Sequence, residues 1–157
     1  MNGMKMQQKA KKLAENRKAL YDYEILETYE AGLKLFGHEV KAIKAGHISL
    51  KGSYVVIKDQ EAFLINSLIS PYQEKNTPDD YDKYRSRKLL LRKKEIQSLI
   101  GKSKQKRLTL IPIKIYTKKN LIKLEFGIGK GKREIDKRQK IKKREFEIEK
   151  QREFRGR

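Results

Sequence analysis

Between Tyr21 and Ile128 the apolar positions change period several times, and each change marks an element. Tyr21, Tyr23 and Ile25 alternate with Asp22 and Glu24, the period-2 signature of a half-buried strand. Gly32-Leu33-Lys34-Leu35-Phe36 reads as a second strand after a turn at Glu30-Ala31-Gly32, so a hairpin is expected to open the fold. Within Gly37 to Gly46, Val40 and Ile43 fall on one side of a short helix and Lys41 and Lys44 on another, with Gly46 placed to end it. Ser53 to Lys58 and Ala62 to Ser70 are apolar, β-branched runs around Asp59-Gln60-Glu61, a second hairpin. Pro71 to Arg85 is polar, holds Pro78 and Asp79-Asp80-Tyr81-Asp82, and reads as a long surface loop. Leu89, Ile96, Leu99 and Ile100 keep helical spacing ahead of Gly101, which predicts a second helix. Thr109 to Ile115 alternates again, Lys118-Lys119-Asn120 turns the chain, and Ile122, Leu124, Phe126 and Ile128 alternate with Lys123 and Glu125 in a third hairpin.

About six short strands with two or three helices, and no strand-helix-strand rhythm, predict a mainly β fold. The expected form is a small closed antiparallel OB-like barrel, a type that commonly binds oligonucleotides, with a basic C-terminal tail. Residues 1–15, rich in Lys and Gln, read as a flexible basic arm, 16–130 as the OB-like barrel and 131–157 as the tail. In the tail, Ile135, Ile141, Phe146, Ile148 and Phe154 scatter around a helical cylinder instead of forming one stripe. Such a segment is expected to be disordered when free and to become helical on a polyanion.

Charge sharpens that expectation. The 157 residues hold 40 Lys or Arg against 20 Asp or Glu, a net charge of +20, which points to nucleic acid first and a membrane surface second. No Cys is present, so disulfides and thiolate metal sites are excluded. No apolar run reaches signal-peptide length or the roughly 20 residues of a membrane span, and a cytoplasmic protein is expected.

Catalytic readings fare poorly. His38 and His47 are the two histidines, too few for a zinc site without Cys. Gly101-Lys102-Ser103 ends like a P-loop, but Ile96 stands where that motif needs Gly. Gly127-Ile128-Gly129-Lys130-Gly131-Lys132 lacks the dinucleotide-binding spacing; its glycines suit a backbone approach to phosphate or a hinge for the tail. Asp79, Asp80 and Asp82 suit a solvated loop better than a magnesium site. Neither a cofactor nor a catalytic residue is expected. Basic residues mixed with Tyr21, Tyr23, Tyr29 and Phe36 fit RNA, where phosphates supply affinity and bases sit on rings.

Particular stretches add a family likeness. Asn16-Arg17-Lys18-Ala19, Tyr29-Glu30-Ala31-Gly32-Leu33, the run from Gly37 to Gly46, Ser53-Tyr54-Val55, Ile69-Ser70-Pro71-Tyr72, Arg85 to Leu91, Gly127 to Lys132, Asp136-Lys137-Arg138 and Ile141 to Glu145 together resemble SmpB, the bacterial SsrA-binding protein family. The resemblance implies a non-enzymatic OB-like protein that binds the tRNA-like domain of transfer-messenger RNA as a monomer. It implies delivery of that RNA to stalled ribosomes, with elongation factor Tu and alanyl-tRNA synthetase as partners through the RNA. The tail is then expected to enter the empty mRNA channel near the small-subunit decoding region. A basic ribosomal protein is the alternative.

Asn16 and Glu30 match family positions associated with the RNA. Together with Arg17, Lys18, Tyr21, Lys41, Lys44, Lys123, Lys130 and Lys132 they form the candidate RNA-binding set. The candidate ribosome-sensing set is Ile135, Asp136, Lys137, Arg138, Lys142, Lys143 and Arg144. At Ile135 the chain departs from the family, which commonly has His or Tyr there; isoleucine packs apolarly but offers no ring for stacking.

Overall fold

The structure of the chain, a computed structural model, describes residues 10–105 and 107–132. In chain order the elements are β1 (Lys11–Glu15), α1 (Arg17–Asp22), β2 (Tyr23–Leu33), α2 (Gly37–Lys44), β3 (Ile48–Ser49), β4 (Tyr54–Lys58), β5 (Glu61–Ile65), β6 (Leu68–Ile69), a 3-10 turn (Glu74–Asn76), β7 (Arg87–Leu90), α3 (Lys93–Ser103), β8 (Leu108–Lys118) and β9 (Leu121–Gly131). Seven strands make one antiparallel sheet in the order β1-β8-β9-β2-β7-β5-β4, and β3 pairs with β6 separately.

The alternation that predicted β8 and β9 is also what buries them. Ile115, Leu124 and Phe126 turn to one side of the sheet and meet Leu64 of β5, Leu89 of β7, Ile43 of α2 and Leu99 of α3, all fully buried. Each such side chain contributes about 1.5–3 kcal/mol of transfer free energy. Two hairpins close through two-residue turns whose residues all lie in the left-handed region: Asp59 and Gln60 (φ 52 and 62) and Lys119 and Asn120 (φ 51 and 65). That turn geometry matches the twist of antiparallel strands.

Several expectations need correction. Tyr21 to Phe36 is not a hairpin. Arg17–Asp22 is a six-residue helix and Tyr23–Leu33 one long strand, with Gly32 inside it. The second expected helix starts only at Lys93, because Leu89 belongs to β7; the Glu95 carboxylate accepts from the Arg92 N–H at 3.3 Å at its start. Within the stretch read as a basic arm, Lys11–Glu15 pairs with β8 as an edge strand; residues 1–9 lie outside the described residues. The sheet is not a closed barrel either. Its edges are β1 and β4, and no ladder joins them among the described residues.

The loop from Pro71 to Arg85 is tied to the body by a buried charge cluster. Glu39, on the first turn of α2, is fully buried and accepts from the Phe36 N–H at 2.9 Å, Tyr81 Oη at 2.8 Å, Arg85, and Arg87 Nε and Nη2 at 2.9 and 2.8 Å. Arg87, also fully buried, directs its remaining donors to Ser67, Tyr81 and the carbonyls of Lys83 and Arg85. Every donor of its guanidinium therefore has a partner, which is what a buried charge requires.

The glycines of Gly127-Ile128-Gly129 serve packing. A Cβ at Gly127 would lie 2.7 Å from the Glu27 carbonyl oxygen, and one at Gly129 would lie 2.4 Å from Ile111 Cδ1. Both contacts are with this chain's own β2 and β8.

Candidate nucleic-acid interface

Strand register builds the outer face of the sheet. One row of neighbours runs Lys12, Tyr116, Lys123, Gly32, Leu90 across β1, β8, β9, β2 and β7. The adjacent row runs Glu15, Lys114, Glu125, Glu30. Gly32 lacks a side chain between Lys123 and Leu90, and a Cβ there would come within 3.2 Å of Leu90 Cβ. The gap opens into a groove of about 810 Å³ bordered by Glu30, Lys88, Leu90, Leu91, Arg92 and Lys123. On the other side of Glu30 lies a groove of about 620 Å³ bordered by Lys12, Lys114, Tyr116 and Lys118. Glu30 is the ridge between them.

That ridge is electrostatically awkward, because Glu30 stands directly opposite Glu125, and like charges so placed repel. Lys114 Nζ, 3.2 Å from Glu125, neutralises one carboxylate. The other accepts the Tyr116 hydroxyl and lies 3.4 Å from Lys118 Nζ. The Tyr116 hydrogen bond, with help from Lys118 and Lys123, holds the Glu30 carboxyl below its ordinary range. Burial, then Glu30, pushes the Tyr116 hydroxyl up. Neither Lys123 nor Arg92 makes a close ion pair with a described carboxylate, and Lys123 acts on Glu30 only at longer range, so the larger groove offers two cations without a contact ion pair beside the exposed Leu90. Such a surface suits phosphate together with a base or sugar edge.

A second basic cluster surrounds α1. Arg17, Lys18 and Tyr21 are exposed on it, Tyr21 at 81 %. A groove of about 370 Å³ runs beside it over Leu110 and Ile111, bordered by Lys18, Lys51 and Tyr54. Lys132, where the described chain ends, donates to the Leu20 carbonyl at 3.2 Å, which holds this last described residue next to α1. Lys130 pairs in register with Glu24 on the neighbouring strand.

Asn16 is different in kind. It is buried; its Nδ2 donates to the Pro112 carbonyl at 3.0 Å, its backbone N–H to the Ile113 carbonyl at 2.8 Å, and its Oδ1 accepts from the Ala19 N–H at 3.4 Å. Asn16 thus caps α1 and fixes it to β8 at a bulge between Pro112 and Lys114.

The structure therefore brings Glu30 and Lys123 to one groove, and Arg17, Lys18, Tyr21 and Lys132 to α1. Lys41 and Lys44 are exposed on α2, away from both. Tyr116, Lys118 and Arg92 were not singled out by the sequence. Alternation with Ile115 places Tyr116 on the outer face, but only the register shows it reaching β2. Ile135, Asp136, Lys137, Arg138, Lys142, Lys143 and Arg144 lie outside the described residues. Among the described residues no cluster of three His, Asp or Glu is arranged to hold a metal, and no helix is long and apolar enough to cross a membrane.

The chain is similar to known proteins. The family model described as SmpB protein matches residues 13–156. The SsrA-binding protein of Gloeothece citriformis is 49% identical over 144 residues, covering 92% of this chain and 93% of the relative. That of Anoxybacillus flavithermus is 48% identical over 147 residues, covering 94% and 95%. A solved structure described as "tmRNA-SmpB: a journey to the center of the bacterial ribosome" contains a chain 47% identical to this one, with a TM-score of 0.62, covering 74% of this chain and 82% of that one.

Proposed function

Because the chain belongs to the SmpB family, we propose that it is an RNA-binding protein of trans-translation that binds transfer-messenger RNA and brings it to stalled ribosomes. The observation that carries this reading beyond family membership is the groove at Gly32, where Lys123 and Arg92 flank the Glu30 ridge on a chain of net charge +20. The groove receives the tRNA-like domain of the RNA, with phosphates on the two cations and a sugar or base edge at Glu30. The α1 cluster of Arg17, Lys18 and Tyr21, with Lys130 and Lys132, extends the basic surface to the root of the tail. Lys41 and Lys44 contact RNA elsewhere on the assembled ribosome.

The tail, with Ile135, Asp136, Lys137 and Arg138 and the cluster at Lys142, Lys143 and Arg144, senses the empty mRNA channel of the small subunit. Elongation factor Tu and alanyl-tRNA synthetase meet the protein through the RNA. The open antiparallel sheet is a variant of an OB-like architecture, and the protein carries out no catalysis of its own in the cytoplasm. Sequencing the RNA that co-purifies with the full chain tests the reading. One dominant structured RNA with a tRNA-like end is the expected result, and bulk ribosomal RNA alone would replace it with a basic ribosomal protein.

A further inference from the structure

We infer that Tyr116 is a positioning residue of the RNA site: its hydroxyl fixes the Glu30 carboxylate, on the ridge between the two sheet-face grooves, as acceptor for a ribose hydroxyl or exocyclic amino group of the bound RNA. The inference rests on the RNA-binding reading above and deepens it.

A carboxylate repels phosphate, so an acid at the centre of a polyanion site needs a different reason to be there. Glu125 has one in its ion pair with Lys114. Glu30 keeps 39 % of its side chain exposed, and Lys118 lies at the limit of hydrogen-bond reach, 3.4 and 3.5 Å from its two oxygens. The firm contact is with Tyr116, which approaches one oxygen, Oε2, and is itself 8 % exposed. A carboxylate offers about four acceptor positions, and a phenol occupies one without cancelling the charge. The remaining positions face the grooves that Glu30 separates. In base-paired RNA, where the imino N–H groups are already engaged, the groups able to donate to them are the 2′-hydroxyl and the amino groups of the bases.

Tyr116 reaches across β9 to do this, since its own register neighbour is Lys123 and that of Glu30 is Glu125. The ring lies under Lys114, whose Nζ is 5.5 Å from its centroid. The acceptor is thus held from a neighbouring part of the sheet, while Lys123 remains available for phosphate. Phosphate attraction and donor recognition fall to different side chains.

The test uses the full chain and the tRNA-like portion of transfer-messenger RNA. Tyr116→Phe removes one oxygen and should weaken binding by roughly 5- to 30-fold, the range of a 1–2 kcal/mol change. The salt slope should stay unchanged, since no phosphate contact is removed. Glu30→Gln should weaken binding too, and the double variant should be no weaker than Glu30→Gln alone. RNAs carrying single 2′-deoxy positions, or single bases without their amino group, identify the donor. One such change should weaken wild type and be silent in Tyr116→Phe: a 2′-deoxy position assigns the ribose, an amino-less base assigns the base edge.

Lys118→Met, acting on the same carboxylate from the other side, provides a second variant should Tyr116→Phe fold poorly. Its smaller loss should also vanish in the Glu30→Gln background. Wild-type affinity in Tyr116→Phe, losses that add to those of Glu30→Gln, or the absence of any silenced modification would overturn the role of Tyr116. A wild-type chain with no preference for this RNA over other structured RNAs would instead overturn the functional reading on which it rests.

Discussion

Asn16 and Glu30 both occupy positions at which family likeness suggests RNA contact, but the two side chains are engaged in different ways. Glu30 lies open on a ridge, whereas all the polar groups of Asn16 that hold α1 are turned inward to Pro112, Ile113 and Ala19. Replacing Asn16 with Ala should lower stability by about 1–2 kcal/mol, the loss of a helix cap and a buried hydrogen bond, and urea unfolding measures it. Asn16→Asp keeps the acceptor for the Ala19 N–H but turns an anion toward the Pro112 carbonyl, so it should be at least as destabilised. RNA affinity of Asn16→Ala should fall only as far as α1 loosens, which faster amide exchange at Ala19 and Leu20 would reveal. An unchanged urea midpoint for both variants would argue against the capping role.

At the scale of elements, the long loop and α2 behave as one unit because Glu39 joins them. Burial alone would push the Glu39 carboxyl up, but hydrogen bonds from Arg85, the Phe36 N–H, Arg87 and Tyr81 outweigh it and hold it at about 2. Tyr81 is pushed up to about 12, by burial and then by Glu39. A depressed carboxyl pKa stabilises the folded chain above the unfolded value, near 4.5, and that contribution is lost as pH falls from there toward 2. Wild type should therefore lose on the order of 3 kcal/mol over that window. Glu39→Gln should show a much flatter acid limb and a large loss at neutral pH, because Arg87 is left as an unpaired buried charge. Denaturant titrations at pH 2, 4 and 7 compare the two, and parallel acid limbs would count against the clasp.

Elements were legible in the sequence where one face is buried and the other is not. β8, β9, the β4–β5 pair and α2 each show that contrast across several residues and are found there, although the run expected over Ala62 to Ser70 splits: β5 ends at Ile65, and Leu68–Ile69 pairs with β3. α1 gave no such signal, since among its six residues only Ala19 is buried while Tyr21 points outward. Tyr21 and Tyr23 therefore imitated a strand. Glycine was ambiguous for a related reason: Gly32 and Gly127 lie inside strands where a missing side chain admits a neighbour, which looks in sequence like a turn or a phosphate loop. Gly127→Ala tests that distinction directly. With backbone oxygen 2.7 Å from the added methyl, β2 and β9 must separate, so a drop in thermal stability is expected even without RNA; unchanged stability together with weaker RNA binding would restore the phosphate reading. The candidate site was legible residue by residue only in part. Its cations are visible in composition, but the Glu30–Tyr116 contact depends on three adjacent strands and on bulges between Ile25 and Glu27 and between Pro112 and Lys114, which no pattern along one strand encodes.

At the scale of the whole molecule, the question is whether the folded body and the tail have separable activities. The last described side chain, Lys132, is anchored on the Leu20 carbonyl, so a chain ending at Lys132 keeps that anchor and every contact of the sheet-face grooves. Beyond it the sequence has eleven Lys or Arg and six Asp or Glu, which leaves the body strongly positive when they are removed. The shortened chain should therefore retain most of its affinity for the tRNA-like RNA, with a somewhat shallower salt dependence, because fewer phosphates are neutralised. It should fail to support the proposed trans-translation, read as tagging of the peptides on stalled ribosomes. A tail of the same composition in shuffled order separates charge from sequence. Phosphate attraction carries little information about order, so the shuffled chain should bind RNA and ribosomes like wild type and yet not support tagging, as should the chain with Asp136, Lys137 and Arg138 all replaced by Ala. If the shuffled chain restored tagging, the tail would be acting as counter-charge alone, and the specific roles proposed for Asp136, Lys137 and Arg138 would fall while RNA binding by the folded body stood.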